Sequence, residues 1–248
     1  FKKETIKKMM KDLVKIYNKR KNSKTLEERF MSDLSISCNK IQKKYETKKA
    51  TKSLKPSQLG GCMRKAVYQL LDTDINYSDL ELADLQNTSI SQSGIDRHIR
   101  IQNLLMNLDK FEYLDVEQYV KEHKIDDIEI IEKCGAETKC YSKKYNMKFM
   151  TDGILLDKET KELYIFEFKT EISKKWNVRK EINNTHIAQA TAYSLILNID
   201  KIIFLYENRD TCMLKFYELN VTKQYKDRIL YKIDKINNSV KNKEIIHI

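Results

Sequence analysis

The spacing of apolar residues divides the chain into a helical first part and a strand-rich second part. Up to about residue 108, apolar positions recur every three or four residues, which is typical of amphipathic helices. The pattern predicts helices over 1–20, 25–45, 56–71 and 91–108, separated by polar segments at 48–55 and 72–89. Thr25 and Glu28 have the spacing of a capping box, which supports the start of the second helix.

Beyond residue 108 the period changes, and β-branched and aromatic residues become frequent. The pattern predicts strands over 113–120, 125–131, 147–156, 163–170, 201–206 and 214–219, and helices over 185–197 and 222–237. The strands at 147–156 and 163–170 are close enough along the chain to form a hairpin. This order of elements predicts an α/β or α+β core built on a mixed sheet.

The predicted hairpin contains the most informative polar residues. Because side chains alternate along a strand, Glu167 and Lys169 share one face and Phe168 points to the other. Folding the hairpin about Glu159 places Asp152 opposite residue 166, so Asp152, Glu167 and Lys169 are expected to converge. Paired carboxylates favour a hard divalent cation, and a nearby lysine can orient or deprotonate a water molecule. An exposed strand face of alternating charge is the alternative, but the apolar neighbours make an unused charge costly.

Further polar residues lie on the predicted helices. Gln189 and Tyr193 are four residues apart and share a helical face, where they can hold Lys169 or a backbone phosphate. His98 is a single histidine on the helix predicted over 91–108. Cations and a hydroxyl near the start of the helix at 56–71 can contact phosphate: Ser57, Arg64 and Lys65. The alternatives are a polar edge of an amphipathic helix for Gln189 and Tyr193, and a surface or hydrogen-bonded core histidine for His98. For the residues near the start of the helix at 56–71, the alternative is ordinary capping and solvation.

The charge distribution adds a second indication. The formal net charge is +11, and residues 1–50 contain 16 Lys and Arg against 6 Asp and Glu. The basic character therefore belongs to the N-terminal region, which indicates either a polyanionic partner or a solvated helical face. A hydrophobic content of 41% excludes global disorder, and no apolar run reaches the roughly 20 residues that span a bilayer. The 5 cysteines are odd in number and lack a CxxC pair, so we expect reduced, mostly partly buried thiols.

Taken in chain order, these residues resemble the motifs of the RecB-like branch of the PD-(D/E)XK nuclease superfamily. The matching motifs are Ser57…Cys62-x-Arg64-Lys65, Gly94-x-x-x-His98, Asp152-Gly153, Glu167-x-Lys169-Thr170 and Gln189-x-x-x-Tyr193. The resemblance covers about 55–220 and implies a restriction-endonuclease-like core, an α/β fold with a mixed central β-sheet flanked by helices. It divides the chain into a basic helical N-terminal extension, 1–50, and a nuclease domain, 51–248. Asp157 is a rival for the role of Asp152, but it lies at the predicted turn.

The resemblance also implies roles for individual residues. His98, Asp152, Glu167 and the backbone carbonyl of Phe168 would bind Mg²⁺ or Mn²⁺, and an imidazole ligand favours Mn²⁺. Lys169 would position or activate the water. Gln189 and Tyr193 would support Lys169 and the DNA backbone, and nucleic-acid contacts would come from Ser57, Arg64 and Lys65. CRISPR-associated relatives carry an iron–sulfur cluster, which needs four thiolates; Cys62 matches the early position, but no cysteine follows Cys212, so we expect no cluster.

The expected function is that of a divalent-metal-dependent DNA nuclease, with an exonuclease favoured, acting in replication, recombination or repair. Its partners would be single- or double-stranded DNA and a replication or recombination protein, with no membrane. We expect a cytoplasmic, nucleoid-associated location in a prokaryotic or phage-infected cell; the small size and abundant Lys, Ile and Asn indicate a phage origin. An RNA endonuclease of the same fold, or a basic binding or scaffold protein with a vestigial site, remain alternatives.

Overall fold

A computed structural model describes residue 11 and residues 25–43, 53–71, 85–135 and 137–244, without the side chains of 39–43, 85 and 87. The helix predicted over 1–20 and the segment 72–84 lie outside the described residues, apart from Lys11. Within the described part, residues fall into two compact units. One contains 25–43 and 85–92, and the other contains 53–71, 93–135 and 137–244.

In the first unit, helix α1 spans Leu26–Lys43. Its start confirms the predicted capping box: the Thr25 N–H donates to Glu28 Oε2 at 2.7 Å, and the Glu28 N–H donates to Thr25 Oγ1 at 3.2 Å. The helix predicted from residue 91 begins earlier, at Leu85. It is α3, which spans Leu85–Leu105.

The second unit contains a mixed five-stranded sheet in the order β1-β5-β6-β7-β8. Its strands are β1 (Phe111–Leu114), β5 (Gly153–Asp157), β6 (Leu163–Glu171), β7 (Lys201–Asn208) and β8 (Leu214–Asn220). Only the central β6–β7 pair is parallel, and the other three pairs are antiparallel. Helix α6 (Asn184–Leu197) lies between the two parallel strands in sequence, as expected for a crossover connection.

Helices cover both faces of this sheet. On one face, α6 and α7 (Lys223–Asn242) share a core with sheet residues such as Ile165, Ile202 and Phe204. On the other face, Ile101 and Leu105 of α3 pack in a cluster with Leu155, Phe166, Phe168 and Ile203. The predicted α/β class, a mixed central sheet flanked by helices, is therefore confirmed. Three shorter helices belong to the same unit: α2 (Met63–Leu71), α4 (Val116–Glu122), which follows β1, and α5 (Ser173–Val178), which follows β6.

A second, antiparallel sheet has three strands: β2 (Ile128–Cys134), β3 (Glu137–Ser142) and β4 (Met147–Phe149). An isolated bridge also pairs Leu54 with Met147. The strand predicted over 147–156 is therefore wrong as a single strand. It breaks at 150–152, because the chain leaves the small sheet after Phe149 and enters the central sheet at Gly153.

Two further predictions need correction. The strand predicted over 113–120 ends at Leu114, because Asp115 caps α4: its carboxylate accepts the Glu117 N–H at 2.8 Å. Val116, Tyr119 and Val120 are buried at helical spacing, so their β-favouring composition was misleading. The predicted burial of most cysteines is also wrong. Cys62, Cys134 and Cys212 are exposed, although all described cysteines are free thiols, as expected.

No helix in the described parts of the chain combines the length and apolar character needed to cross a bilayer.

Candidate active site

Asp152 lies at the junction where the chain passes from one sheet to the other. Its Oδ2 accepts the backbone N–H of Phe168 at 2.7 Å, so the carboxylate is fixed against β6. Gly153 follows because the ring of Tyr113 fills its side-chain position: a Cβ there would lie 2.5 Å from Tyr113 Cε2. The Tyr113 hydroxyl donates to the Asp152 carbonyl at 3.3 Å. The Asp-Gly pair thus combines a carboxylate with a residue small enough for close packing.

Helix α3 brings His98 to this junction. Ile101 and Leu105 anchor the helix on the sheet, and the His98 ring meets Phe168 edge to face at 5.0 Å between centroids. His98 Nδ1 then lies 3.0 Å from Asp152 Oδ1. Burial would lower the pKa of His98, but the hydrogen bond and charge of Asp152 raise it above its usual value. The predicted approach of His98 and Asp152 is therefore present.

Glu137, which the sequence analysis did not single out, completes a three-ligand group: three residues that could hold a metal ion. One ligand atom each from His98, Glu137 and Asp152 lie within 4.8 Å of one another. Gln102 holds the group together by donating to Glu137 Oε1 at 2.9 Å and to the Asp152 carbonyl at 3.3 Å. Burial and the charge of Asp152 raise the pKa of Glu137. One imidazole nitrogen and two carboxylates are a donor set that fits Mn²⁺ or Mg²⁺.

Glu167 and Lys169 form a buried ion pair on the neighbouring strand. Lys169 Nζ donates to Glu167 Oε2 at 2.6 Å, which confirms that the two side chains share a face. Burial raises the pKa of Glu167 to about 7; the charge of Lys169 opposes this, and that of Asp152 adds to it. Burial would lower the pKa of Lys169, but the charges of Glu167 and Asp152 raise it. Lys169 is therefore an ammonium ion, and Glu167 pairs with it; Glu167 is not among the three residues whose ligand atoms cluster.

Asp152 connects the three-ligand group to the ion pair. Burial would raise the pKa of this carboxyl, but the His98 hydrogen bond and the charge of Lys169 lower it below its usual value. Three carboxyl groups, those of Glu137, Asp152 and Glu167, thus share the charge of Lys169 and the proton-binding imidazole of His98. Such a cluster of carboxyl groups is suited to bind a further cation.

Gln189 and Tyr193 lie on α6, where they support the junction. The Gln189 amide donates to the Tyr193 hydroxyl at 2.8 Å, and that hydroxyl donates to the Met150 carbonyl at 2.9 Å. Burial raises the pKa of Tyr193 well above its usual value, so it stays a neutral donor. The pair thus fixes the backbone two residues before Asp152. Its predicted contacts with Lys169 and DNA stay predictions.

The other predicted residues lie before or in the first turn of α2 and in β6: the helix predicted from residue 56 begins only at Met63, and Ser57 lies in a separate 3-10 turn, Pro56–Gln58. Ser57 and Lys65 are exposed, and Arg64 is half-buried. Gly60 allows this segment to approach the first turn of α6, since a Cβ would lie 2.7 Å from Thr185 Cα. Phosphate binding by Ser57, Arg64 and Lys65, and metal binding by Glu167 and the Phe168 carbonyl, stay predictions.

Asp157, the rival to Asp152, lies at the other end of β5. Its carboxylate accepts the Glu159 N–H at 2.8 Å in the turn to β6. It is not a member of the three-ligand group.

A buried clamp on the far side of α3 fixes the helix that carries His98. Glu207, at the end of β7, has 0% side-chain exposure, and its two carboxylate oxygens pair with Arg97 and Arg100. Arg97 Nη2 also donates to the Arg209 carbonyl at 2.8 Å. The clamp holds one side of α3 over β7, while His98 and Gln102 reach the junction from the other side.

Sequence patterns did not reveal Glu137, Gln102 or the clamp. The clamp pairs residues 110 positions apart, which no local pattern shows. Glu137 lies on β3, two of whose three inward residues are polar: Thr138 and Ser142 are buried beside Cys140. Gly135, with a φ of 67°, marks the turn before this strand and was the available indication of a hairpin.

Comparison with known proteins gives no family assignment. No protein-family model matches the chain, and no curated protein matches it in sequence. Similar solved structures include the protein SSO0001, with 14% identity, 89% coverage of both chains and a TM-score of 0.48. They also include the alkaline exonuclease LHK-Exo from Laribacter hongkongensis, with 10% identity, coverage of 77% of this chain and 89% of that chain, and a TM-score of 0.48. LHK-Exo in complex with dAMP matches with 9% identity, the same coverage and a TM-score of 0.41. These values do not assign a function, and the residues of the site are the basis for inferring one.

Proposed function

We propose that this chain is a divalent-metal-dependent nuclease that hydrolyses phosphodiester bonds in DNA. The observation that carries the proposal is the three-ligand group of His98, Glu137 and Asp152 beside the buried Glu167–Lys169 pair. The arrangement fits the resemblance to RecB-like nucleases in a mixed sheet flanked by helices, with Glu137 as an additional carboxylate. An exonuclease mode, a role in replication, recombination or repair, a protein partner and a cytoplasmic location remain predictions from the sequence.

His98, Glu137 and Asp152 would hold Mg²⁺ or Mn²⁺, with preference for Mn²⁺ from the imidazole ligand. Such an ion supplies neutralisation of phosphate charge and a lower pKa of the attacking water. Asp152 is kept ionised and oriented by the Phe168 N–H and by His98. Gln102 keeps Glu137 directed toward Asp152.

Lys169 would act on the substrate side of the site. Its ammonium group, held by Glu167 at 2.6 Å, is suited to orient the attacking water and to bind a phosphate oxygen as negative charge develops. Its raised pKa favours this positioning role over proton abstraction. During hydrolysis, water adds to phosphorus, the bond to one ester oxygen breaks, and the leaving oxygen takes up a proton.

The test is cleavage of end-labelled single-stranded DNA, double-stranded DNA and RNA in Mn²⁺, Mg²⁺ or EDTA. We expect metal-dependent cutting of DNA that falls at least about 100-fold in Lys169→Ala. Lys201→Ala is the matched control, because Lys201 also pairs with a glutamate, Glu162, but lies at the opposite end of the parallel strand pair.

Several outcomes would contradict the proposal. They are absence of cutting by the wild type with every metal, cutting that persists in EDTA, or equal activity of Lys169→Ala and Lys201→Ala. Preference for RNA would retain the nuclease and overturn the assignment to DNA. The positions of the released label would report whether cutting starts from an end.

A further inference from the structure

Three lysines lie on one face of the small sheet, and we refer to Lys55, Lys139 and Lys148 as the lysine surface. Glu137, Lys139 and Tyr141 alternate with the buried residues of β3, so they share its outer face. Tyr141 is the register partner of Lys148 on β4. Met147 and Phe149, on either side of Lys148, are buried, so Lys148 also points outward.

Lys55 extends this face across one more segment of chain. The Leu54 N–H donates to the Asn146 carbonyl at 2.9 Å, and the Lys148 N–H donates to the Leu54 carbonyl at 2.8 Å. Leu54 pairs with Met147, and both are fully buried. Lys55 has extended backbone angles, φ −122° and ψ 141°, so its exposed side chain lies on the same outer face as Lys148.

The lysine surface has no ion pair among the described residues. Some other lysines in that part of the chain do pair with carboxylates; examples are Lys110–Glu159, Lys121–Glu117, Lys133–Asp115, Lys201–Glu162 and Lys226–Asp200. Burial and the positive charges of Lys139 and Lys55 lower the pKa of Lys148, which places the three ammonium groups within electrostatic reach. The acidic residues on the same face, Glu129 and Glu132, belong to β2, on the opposite side of β3 from β4. Glu132 is the register partner of Lys139, and Glu129 is that of Tyr141.

The lysine surface begins next to the candidate active site. Lys139 follows Glu137 by two residues on the same face of β3, a separation of about 7 Å along the strand. An anionic chain leaving the three-ligand group over β3 and β4 would therefore meet Lys139 first, then Lys148 and Lys55. The acidic edge formed by β2 would exclude it from the other direction. Tyr141, beside Lys148, offers a ring on which a base can stack.

We propose that the lysine surface binds the sugar–phosphate backbone of a DNA strand next to the phosphate at the three-ligand group. The identity of the polyanion rests on the proposed function, but the binding itself does not depend on catalysis. Three ammonium groups that contact successive phosphates release condensed counterions, so they contribute both affinity and salt dependence. The surface differs from Ser57, in the 3-10 turn Pro56–Gln58, and from Arg64 and Lys65, in the first turn of α2.

The test measures DNA binding in EDTA, where metal-dependent cutting is absent. Fluorescence anisotropy of labelled single-stranded DNA over a salt series is compared for the wild type and for the triple variant Lys55→Gln, Lys139→Gln, Lys148→Gln. We expect the slope of log affinity against log salt to become shallower by about 2 in the triple variant, because each of the three lost phosphate contacts contributes about 0.7. We also expect Kd to rise at least about tenfold at low salt.

Two control variants separate local contact from total charge. The triple variant Lys110→Gln, Lys158→Gln, Lys161→Gln removes the same charge near the β5–β6 turn. This turn lies at the other end of β5 from the junction, so the salt slope of DNA binding should stay unchanged. The triple variant Lys55→Arg, Lys139→Arg, Lys148→Arg keeps the charge of the lysine surface and should retain the wild-type salt slope. Thermal unfolding of each variant verifies the fold.

The outcomes distinguish this surface from the nuclease proposal. Loss of slope only in the Gln variant of the lysine surface supports the surface, even if the wild type never cuts DNA. An unchanged slope in that variant, or an equal loss in both Gln variants, overturns the surface even if the wild type is an active nuclease. Selective loss of binding to an acidic protein, with DNA binding retained, would also overturn it.

Discussion

Two buried glutamates on adjacent strands of the central sheet differ in the number of cations that neutralise their charge. Glu207 on β7 meets two arginines, Arg97 and Arg100, so its charge is more than neutralised. Glu167 on β6 meets one lysine, Lys169, and that lysine also faces the carboxylate of Asp152. The first arrangement holds two elements together, and the second leaves a local excess of negative charge. Burial of a charge alone therefore does not distinguish the candidate site in this protein, whereas the smaller positive charge around Glu167 does.

The largest expected effect comes from breaking the clamp that Glu207 forms with Arg97 and Arg100. Glu207→Gln would leave two arginines without their buried partner and should lower the free energy of unfolding by about 3 kcal/mol in urea titrations. Because α3 carries His98, we also expect weaker Mn²⁺ binding in calorimetry. Glu171→Gln is the matched control: it breaks the buried pair with Arg179 and should destabilise the fold without weakening Mn²⁺ binding. Equal stability of Glu207→Gln and the wild type would show that the clamp does not hold the helix.

Removing a carboxylate from the candidate metal site should raise, rather than lower, the stability of the metal-free protein. Glu137→Gln relieves repulsion with Asp152, so we expect the metal-free protein to unfold at equal or higher urea concentration. The same change removes a ligand and should weaken Mn²⁺ binding by roughly 10- to 100-fold, or about 1.4 to 2.7 kcal/mol. A metal-free protein that is clearly less stable in this variant would mean that Glu137 is a structural residue.

A third measurement uses a half-buried histidine, His186, outside the three-ligand group. Burial lowers the pKa of His186 to about 4, and its Nδ1 lies 2.7 Å from the Tyr206 hydroxyl. Because the folded pKa lies below the value of 6.5 for a free imidazole, stability is complete above pH 6.5 and is lost as the pH falls toward 4. The ring is partly exposed, so we expect about half of the full linkage, roughly 1 kcal/mol between pH 7 and 5. His186→Gln should lack this part of the pH dependence; identical pH profiles would contradict it.

The smallest effect is expected at an exposed pair. Lys110 and Glu159 are 2.8 Å apart, with side-chain exposures of 74% and 67%. Glu159→Gln should change the free energy of unfolding by less than about 0.5 kcal/mol, because water screens the pair. A loss of unfolding free energy as large as that of Glu207→Gln would show that burial does not determine how much an ion pair contributes to stability in this protein.

The parts of the site that the sequence predicted are those set by local periodicity. Alternation along β6 places Glu167 and Lys169 together, and the short connection to β5 brings Asp152 beside them, one residue from the predicted register. His98 was included because of its order among the motifs, not because of its helix. Glu137 was missed because β3 buries polar residues, and Glu207 was missed because its partners are distant in sequence. Both lie where tertiary packing, rather than hydrophobic pattern, decides the structure.

The origin of the three ligands in separate elements has a consequence for the mechanics of the fold. His98 comes from α3, a helix packed on the central sheet; Glu137 comes from the small sheet, and Asp152 comes from the segment that joins the two sheets. An ion held by all three acts as a cross-link that closes loops of roughly 40 and 15 residues, in the manner of a disulfide. The small sheet would then exchange its amide hydrogens more slowly when the ion is bound, and chelation would loosen that sheet before the rest of the molecule.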